Sequence, residues 1–153
     1  MNKSILIIFA ACVGFVLAKP KVSGPFPESR RKSILVARQN FCNAGSGFNY
    51  DKLYKIKLAR IFPSDDSYYC YVGCFCTETK SLMSGEKILS EVYIRAALTR
   101  TISLLKADYL ISNCKNVQVA IDVCETGKII HNCFALQNII LADFIGYASN
   151  DVI

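Results

Sequence analysis

Cysteine is the residue type with the greatest chemical potential in this chain, which has eight of them. Cys70 and Cys74 are four residues apart, and on a helix both sulfurs would project from one face, one turn apart. Each could then be joined to a different neighbouring segment. The other cysteines that could serve as partners are spread through the chain: Cys42, Cys114, Cys124 and Cys133. The sequence therefore predicts a small protein cross-linked by disulfides around one central helix.

The first eighteen residues have the pattern of a secretory signal peptide. Lys3 provides a positive start, residues 5–17 are an apolar run broken only by Gly14, and the residues before position 19 suit cleavage after Ala18. A membrane anchor is the weaker interpretation, because the run is shorter than the ~20 residues that span a bilayer and no stop-transfer pattern follows. We therefore predict a signal peptide at residues 1–18 and a single secreted, extracellular domain at residues 19–153, with no integral membrane segment.

The formal charge of +6 falls by one when Lys3 is removed with the signal peptide. Much of the remaining positive charge lies near the new N-terminus: Lys19, Lys21, Arg30, Arg31, Lys32 and Arg38. Such a cluster could attract an anionic surface or a polyanion. Because no aromatic residues alternate with the basic ones, a solvated helix face is the better interpretation, and we expect no nucleic-acid partner.

Secretion would place the cysteines in an oxidising compartment, where disulfides are the expected state. Cys12 would leave with the signal peptide. The six cysteines named above allow fifteen pairings. Cys124 and Cys133, if they lie on one helix, are separated by about 13 Å, which is too far for a disulfide. Cys70 and Cys74 are close, but their side chains would run nearly parallel. Ten pairings remain open.

Apolar residues recur at helical spacing through most of the chain, and no long alternating strand pattern is present. We therefore predict an all-α fold. The expected helices cover residues 27–39, 50–61, a central segment that contains Cys70 and Cys74, 86–110 with a break near Leu98, and 117–132. Turns are expected at residues 43–49, 83–86 and 113–116. N-cap candidates for the central helix are Ser64, Asp65 and Asp66.

Two apolar stripes support the later helices. The first follows i, i+4, i+7 and i+11 spacing and comprises Leu98, Ile102, Leu105 and Tyr109. The second comprises Val117, Ala120, Ile121 and Cys124. After Cys133 comes an apolar tail, and a tail of this kind would form a sticky patch if it were exposed. We expect it to pack permanently onto the body, because the tail offers few groups that could make it an acid-triggered gate.

The cysteine spacing Cys42-x27-Cys70-x3-Cys74-x39-Cys114-x9-Cys124-x8-Cys133 resembles that of the classical insect odorant-binding proteins. The x3 and x8 intervals are the most diagnostic parts of the pattern. The segments at residues 62–66 and 84–88 are also similar to the family. The resemblance covers nearly the whole mature chain, and the departure from the pattern is Cys76.

The resemblance implies three bridges, which are Cys42–Cys74, Cys70–Cys124 and Cys114–Cys133. It also implies about six helices around an internal apolar cavity. Cys76 would then be a buried free thiol or the link in a covalent homodimer. We favour the buried thiol, because free cysteine behaves as a small apolar residue.

The sequence does not favour an enzyme. His131 is the single histidine, and its position identifies no nucleophile beside it. A zinc site built on Cys70, Cys74 and Cys76 is disfavoured by secretion and by the distributed spacing of the cysteines. We expect no cofactor and no metal.

An apolar pocket is the favoured site, and the family resemblance is what distinguishes it from ordinary core. The candidate lining residues are Leu53, Ile56, Leu82, Ile88, Val92, Leu98, Ile102, Leu105, Ile121 and Phe134. Four tyrosines could orient the polar end of a ligand: Tyr50, Tyr54, Tyr93 and Tyr109. The resemblance implies a secreted carrier of a small hydrophobic ligand, such as an odorant, a pheromone or another lipophilic molecule. The alternative is the same scaffold as a secreted effector in saliva, venom or glandular fluid. The sequence identifies no receptor.

Overall fold

The computed structural model describes residues 28–85, 88–98 and 102–145, and the proposed signal peptide lies outside these ranges. The described residues form six α-helices: α1 (Glu28–Ser46), α2 (Tyr50–Ala59), α3 (Asp66–Thr79), α4 (Glu91–Leu98), α5 (Leu104–Cys114) and α6 (Val123–Ala135). A 3-10 turn follows at Leu141–Asp143. The all-α expectation is therefore confirmed. Within the described ranges, no helix is both long and apolar enough to cross a membrane.

The first two helices differ from the prediction at their C-terminal ends. α1 continues seven residues beyond the predicted end at Gln39, and it therefore contains Cys42. Ser46 bonds the carbonyl oxygen of Cys42 through its hydroxyl, at 2.7 Å, within the last turn. α2 ends earlier than predicted, because Arg60 adopts a left-handed conformation with φ of 54° and its N–H bonds the carbonyl oxygen of Ile56.

α3 is the central helix that the sequence predicts. Asp65 is its N-cap, and the carboxylate accepts a hydrogen bond from the N–H of Ser67 at 2.7 Å. Hydrogen bonding to Ser67 lowers the pKa of Asp65, as expected for a carboxylate at a helix N-terminus. α3 packs against α6 and α1. Its buried residues are Tyr68, Tyr71, Val72, Gly73, Phe75 and Cys76.

A short antiparallel hairpin joins α3 to α4 and was not predicted. Its strands are β1 (Met83–Ser84) and β2 (Ile88–Leu89), with Met83 opposite Leu89. The prediction of a helix starting at residue 86 is therefore wrong, and α4 starts at Glu91. Two-residue strands are too short to produce a recognisable alternation of apolar and polar residues.

The helix predicted at residues 86–110 is divided, as expected, close to Leu98. α4 ends at Leu98 and α5 starts at Leu104. The break changes the rotational phase of the second half, so α5 buries Ala107, Leu110, Ile111 and Cys114. Leu105 and Tyr109, which the predicted stripe placed with Leu98, are exposed. The stripe is wrong because its spacing assumes one uninterrupted helix.

The last helix starts six residues later than predicted. Residues 117–119 run alongside β2, where the N–H of Leu89 bonds the carbonyl oxygen of Val117 at 3.0 Å and Ile88 pairs with Gln118. Asp122 is the N-cap of α6, and its carboxylate accepts a hydrogen bond from the N–H of Glu125 at 2.8 Å. The stripe predicted from Val117 therefore does not exist as a helical face.

Three disulfides cross-link the helices, and they are the pairs that the resemblance implies. Cys42–Cys74 joins α1 to α3, Cys70–Cys124 joins α3 to α6, and Cys114–Cys133 joins α5 to α6. α3 and α6 each have two cross-links, one of which they share. These two helices are therefore the frame to which the rest of the described chain is attached.

The apolar segment after α6 packs onto the body as far as residue 145. Ile139, Ile140, Leu141, Ala142 and Ile145 are all buried. The carboxylate of Asp143 forms an ion pair with Arg60 at 2.5 Å, and this pair connects the 3-10 turn to the end of α2. The expectation of a packed tail is confirmed for this part, and residues 146–153 lie outside the described ranges.

Candidate functional site

Apolar side chains fill the space between the cross-linked helices. The fully buried members include Leu53 from α2, Val72 from α3, Leu98 from α4, Leu110 from α5 and Phe134 from α6. With Cys42 from α1, one continuous cluster receives side chains from all six described helices and from the C-terminal segment. This is the arrangement expected of one domain with a single hydrophobic interior.

Aromatic rings form a large part of this interior. Phe48 stacks on Tyr71 with ring centroids 5.1 Å apart and meets Tyr68 edge-on at 5.6 Å. Tyr71 continues the series to Phe75 at 5.9 Å. At the other side, Phe134 packs against Phe144 of the C-terminal segment. Aromatic surfaces of this kind provide apolar contact area with defined geometry.

Tyr68 of α3 and His131 of α6 place polar groups within this interior. Tyr68 is 0% exposed and His131 is 5% exposed. Their rings meet edge to face, with centroids 5.5 Å apart and an interplanar angle of 88°. Neither the Tyr68 hydroxyl nor His131 Nδ1 has a hydrogen-bond partner among the described residues. We call Tyr68 and His131 the buried polar pair.

Burial determines the charge state of both groups. It raises the pKa of the Tyr68 hydroxyl, and nearby Cys76 and Asp143 act in the same direction. It lowers the pKa of His131 below its ordinary value of 6.5. At neutral pH the buried polar pair is therefore uncharged, with one phenolic O–H donor and one neutral imidazole.

A cleft of about 740 Å³ opens between α1, the C-terminal end of α3, β1 and the start of α6. We call it the α1–α3 cleft. Its apolar lining residues are Ile34, Leu35, Met83, Ala120, Ile121 and Val123, and its polar lining residues include Arg38, Glu78 and Lys80. Arg38 and Glu78 form an ion pair at 3.1 Å. The cleft has the volume of a typical small-molecule site.

The floor of the α1–α3 cleft is continuous with the hydrophobic interior. Met83 lines the cleft and is also a fully buried member of the core, and Leu35 packs against the core from α1. Thr126, which lines the cleft from α6, is fixed by a hydrogen bond from its hydroxyl to the carbonyl oxygen of Ala120 at 2.8 Å. An apolar molecule in the cleft would therefore contact the core directly.

The structure divides the ten candidate lining residues into two groups. The buried residues are Leu53, Ile56, Leu82, Leu98 and Phe134, and Ile102 is partly buried against the core. The exposed residues are Ile88, Val92, Leu105 and Ile121. The buried residues lie together in the apolar interior. The exposed residues do not form an enclosed pocket with them.

Two of the exposed candidates nevertheless lie at surface hollows. Ile121, 89% exposed, lines the α1–α3 cleft. Val92, 72% exposed, lines a second, more open hollow of about 400 Å³ together with Glu91, Arg95 and Ala96. Leu105 lines neither of them. The reason for its exposure is the phase change at the break before α5.

The tyrosines chosen from the sequence are not the ones that the fold buries. Tyr54, Tyr93 and Tyr109 are all exposed, and the side chain of Tyr50 is outside the described part. The buried tyrosines are Tyr68 and Tyr71. A sequence signal was available, because both lie on the helix that carries two cross-linked cysteines and such a helix must be surrounded by the others.

Cys76 is a buried free thiol, in agreement with the prediction. Burial raises the pKa of this thiol to about 12, so it is protonated at neutral pH. The zinc site considered for Cys70, Cys74 and Cys76 has no ligand set, because Cys70 and Cys74 are in disulfides with other helices.

The fold and the site together define a class of protein: a small six-helix domain, held by three interlocked disulfides, with an apolar interior that opens at a cleft. The sequence model of the PBP/GOBP family, which groups the insect pheromone-binding and general odorant-binding proteins, matches residues 26–137. This match covers well over half of the chain. The chain belongs to this family of binding and carrier proteins.

Among solved structures, the chain is similar to the fatty acid binding protein OBP56a from the oral disk of the blowfly Phormia regina. The two are 19% identical, the comparison covers 74% of this chain and 95% of that chain, and the TM-score is 0.48. A likeness at this level does not indicate which ligand this chain binds. No curated protein matches the sequence.

Proposed function

We propose that this protein is a secreted carrier that binds small hydrophobic ligands. The observation that carries the proposal is the α1–α3 cleft, whose apolar floor is continuous with the core through Leu35 and Met83. Membership of the PBP/GOBP family supports it. The apolar run in residues 1–18 and the three disulfides support export to an oxidising compartment.

The ligand in this proposal rests on Leu35 and Met83 and extends inward toward the buried candidates. Those candidates are Leu53, Ile56, Leu82, Leu98 and Phe134. Affinity would come from apolar area removed from water, at roughly 25 cal/mol per Å². Because this contribution depends on area and not on direction, such a carrier would accept several ligands of similar size.

The same arrangement argues against catalysis by the described residues. Six cysteines are in disulfides, and the remaining described thiol, Cys76, is buried and protonated. Among the described residues, the ring contacts of His131 are with Phe62, Tyr68 and Tyr69, and neither serine nor cysteine is one of them. We therefore propose a binding protein without enzymatic activity.

Two exposed aliphatic residues, Ile121 and Leu105, provide a matched test of the site. Ile121 is 89% exposed and lines the cleft, whereas Leu105 is 84% exposed and does not. Replacing either by aspartate leaves the core intact. We expect Ile121→Asp to weaken binding of the fluorescent probe N-phenyl-1-naphthylamine several-fold, and Leu105→Asp to leave it unchanged.

The proposal fails if the mature chain, residues 19–153, does not bind this probe. If both variants bind the probe like the wild type, the ligand does not contact the mouth of the cleft at Ile121. If Leu105→Asp alone weakens binding, the site lies on α5 and the cleft is the wrong place.

A further inference from the structure

Met83 of β1 belongs to the α1–α3 cleft and to the hydrophobic core at once. It lines the cleft, yet it is 1% exposed and is a member of the core cluster. Apart from Thr126, the other residues that line the cleft are exposed or half-buried, and Ile121 is 89% exposed. Met83 therefore lies at the bottom of the cleft, between the space that a ligand can enter and the packed interior.

Thr126 is the other buried residue of the cleft, and its side chain is held in place. Its hydroxyl donates a hydrogen bond to the carbonyl oxygen of Ala120 at 2.8 Å, and its branched Cβ restricts rotation. The side chain of Met83 has neither restraint, because it is unbranched and its thioether is at most a weak acceptor. The bottom of the cleft therefore combines one fixed side chain with one that can change its conformation.

The backbone that carries Met83 is fixed by the short hairpin. Met83 lies opposite Leu89 of β2, and beside this pair the N–H of Ser90 bonds the carbonyl oxygen of Leu82 at 2.9 Å. Leu89 is bonded in turn to the next segment, since its N–H donates to the carbonyl oxygen of Val117 at 3.0 Å. A change in the depth of the cleft must therefore come from the side chain of Met83 and not from the backbone of β1.

The interior behind Met83 is filled with apolar side chains. Leu89, its partner across the hairpin, is fully buried and does not line the cleft. Paired residues on antiparallel strands have Cβ atoms about 5 Å apart. Helix α4 also packs against β1, and it buries Ile94 and Leu98. Truncation of Met83 beyond its Cβ atom would therefore extend the cleft toward apolar side chains and not toward solvent.

We propose that Met83 is a specificity-determining residue that limits the length of the ligand that the α1–α3 cleft accepts. The inference rests on the proposed carrier function and adds the property by which ligands are selected. A hydrocarbon chain that enters the cleft meets Met83 at its bottom. Carbons beyond this point must displace the side chain into a filled interior, and packed interiors accept little added volume. The ligand class is therefore a hydrocarbon chain with an upper limit on its length.

The test uses the 1-alkanols from hexanol to tetradecanol as a series of increasing length. Their affinities for residues 19–153, the mature chain proposed above, are measured by displacement of N-phenyl-1-naphthylamine. Each methylene that leaves water should raise the affinity of the wild type about fourfold, up to a limiting length beyond which the affinity stops rising. Met83→Ala should move this limit to chains about two to three carbons longer, because it leaves space at the bottom of the cleft.

Two matched variants control for stability and for the shape of the side chain. Leu89→Ala removes a buried side chain from the opposite strand, so it should lower the unfolding temperature as Met83→Ala does and leave the limiting length unchanged. Met83→Leu nearly conserves the side-chain volume and should also keep the limit. An unchanged limit in Met83→Ala, or an equal shift in Leu89→Ala, overturns the inference.

A measurement on the wild type keeps the inference testable if Met83→Ala does not fold. Met83 is the only methionine in residues 19–153, so a chain labelled at the methionine methyl carbon gives one methyl signal in an NMR spectrum. We expect this signal to move more on binding of an alkanol of the limiting length than on binding of hexanol. If the signal stays in place while the probe is displaced, the ligand lies away from Met83 and the inference is wrong.

The outcomes separate this inference from the carrier function. If affinity rises through the whole series without a limit, the carrier function stands and the length limit does not. If neither the alkanols nor the probe bind, the carrier function fails and this inference fails with it.

Discussion

Gly73 of α3 and Gly127 of α6 face each other where the two helices cross. A Cβ atom on Gly73 would lie 1.8 Å from the carbonyl oxygen of Val123, and one on Gly127 would lie 1.8 Å from the carbonyl oxygen of Tyr69. Each glycine comes three residues after one half of the Cys70–Cys124 disulfide. The crossing of the two frame helices is therefore fixed by a covalent bond on one turn and by backbone contact on the next.

Alanine at either glycine should destabilise the protein strongly. The clash is with backbone, so the helices must move apart, and we expect a loss of about 3 kcal/mol or more in the free energy of unfolding. Gly45 of α1 is the matched control, because a Cβ there meets nothing within 4 Å. Gly45→Ala should be neutral or stabilising by up to about 1 kcal/mol. Urea unfolding curves measure all three, and equal effects at Gly73 and Gly45 would contradict the close crossing.

The residues that form this helix crossing are present in the sequence, but their spacing alone does not predict the crossing. Cys70 and Cys124 are each followed by glycine at the third position, which becomes meaningful only once the two cysteines are known to be paired. The sequence predicted several features correctly: the all-α fold, the central position of α3, Asp65 as an N-cap candidate and the break near Leu98. These features depend on local chemistry and on periodicity within one element.

Features that depend on contacts between distant segments were not accessible. Val117, Ala120 and Ile121 have helical spacing, yet Val117 pairs with β2 through the N–H of Leu89. Leu105 has the spacing of a core residue, yet it is exposed because α5 starts with a new phase. The same limit applies to the site, where Tyr68 and His131 come together only through the packing of α3 on α6.

The thiol of Cys76 should be nearly inert in the folded protein. Burial raises its pKa from the ordinary value of 9.0 to about 12, so the thiolate fraction at pH 8 falls by about a thousandfold. We expect reaction with 5,5′-dithiobis(2-nitrobenzoate) to require unfolding, with one thiol released per chain in denaturant. Rapid reaction of the native protein, or a disulfide-linked dimer on a non-reducing gel that disappears in Cys76→Ser, would contradict the buried thiol.

Stability should decrease between pH 7 and pH 5 because of His131. Its pKa is lower in the folded state than the ordinary value of 6.5, so within this window the unfolded chain binds more protons than the folded one. The contribution is complete above about pH 6.5 and is lost as the pH falls toward the folded pKa. The lowered pKa values of Asp65 and Glu91 act at more acidic pH, since their ordinary values are 3.8 and 4.5.

The histidine can be isolated because the chain contains no other. Urea unfolding at pH 7.5 and pH 5.5 should show a smaller free energy of unfolding for the wild type at pH 5.5. His131→Phe should show a smaller difference between the two values. If the variant retains the full difference, the pH dependence has another origin.

Removal of residues 143–153 should weaken ligand binding at neutral pH. The deletion removes Ile145, which is fully buried, and the ion pair between Asp143 and Arg60. Arg60→Ala is the control, since it removes the ion pair alone and exposed pairs contribute about 1 kcal/mol or less. Probe affinity at pH 7.5 measures both. An unchanged affinity at pH 7.5 together with loss of ligand release at pH 5 would show that the tail is a gate and not a permanent wall.

The most direct test of the carrier function is native mass spectrometry of residues 19–153, the mature chain proposed above, incubated with an equimolar mixture of apolar compounds of different chain lengths. We expect complexes of one ligand per chain that survive when the three disulfides are intact and disappear after reduction. The carrier function would be contradicted if the chain were recovered without any bound compound, at ligand concentrations where N-phenyl-1-naphthylamine is also not bound.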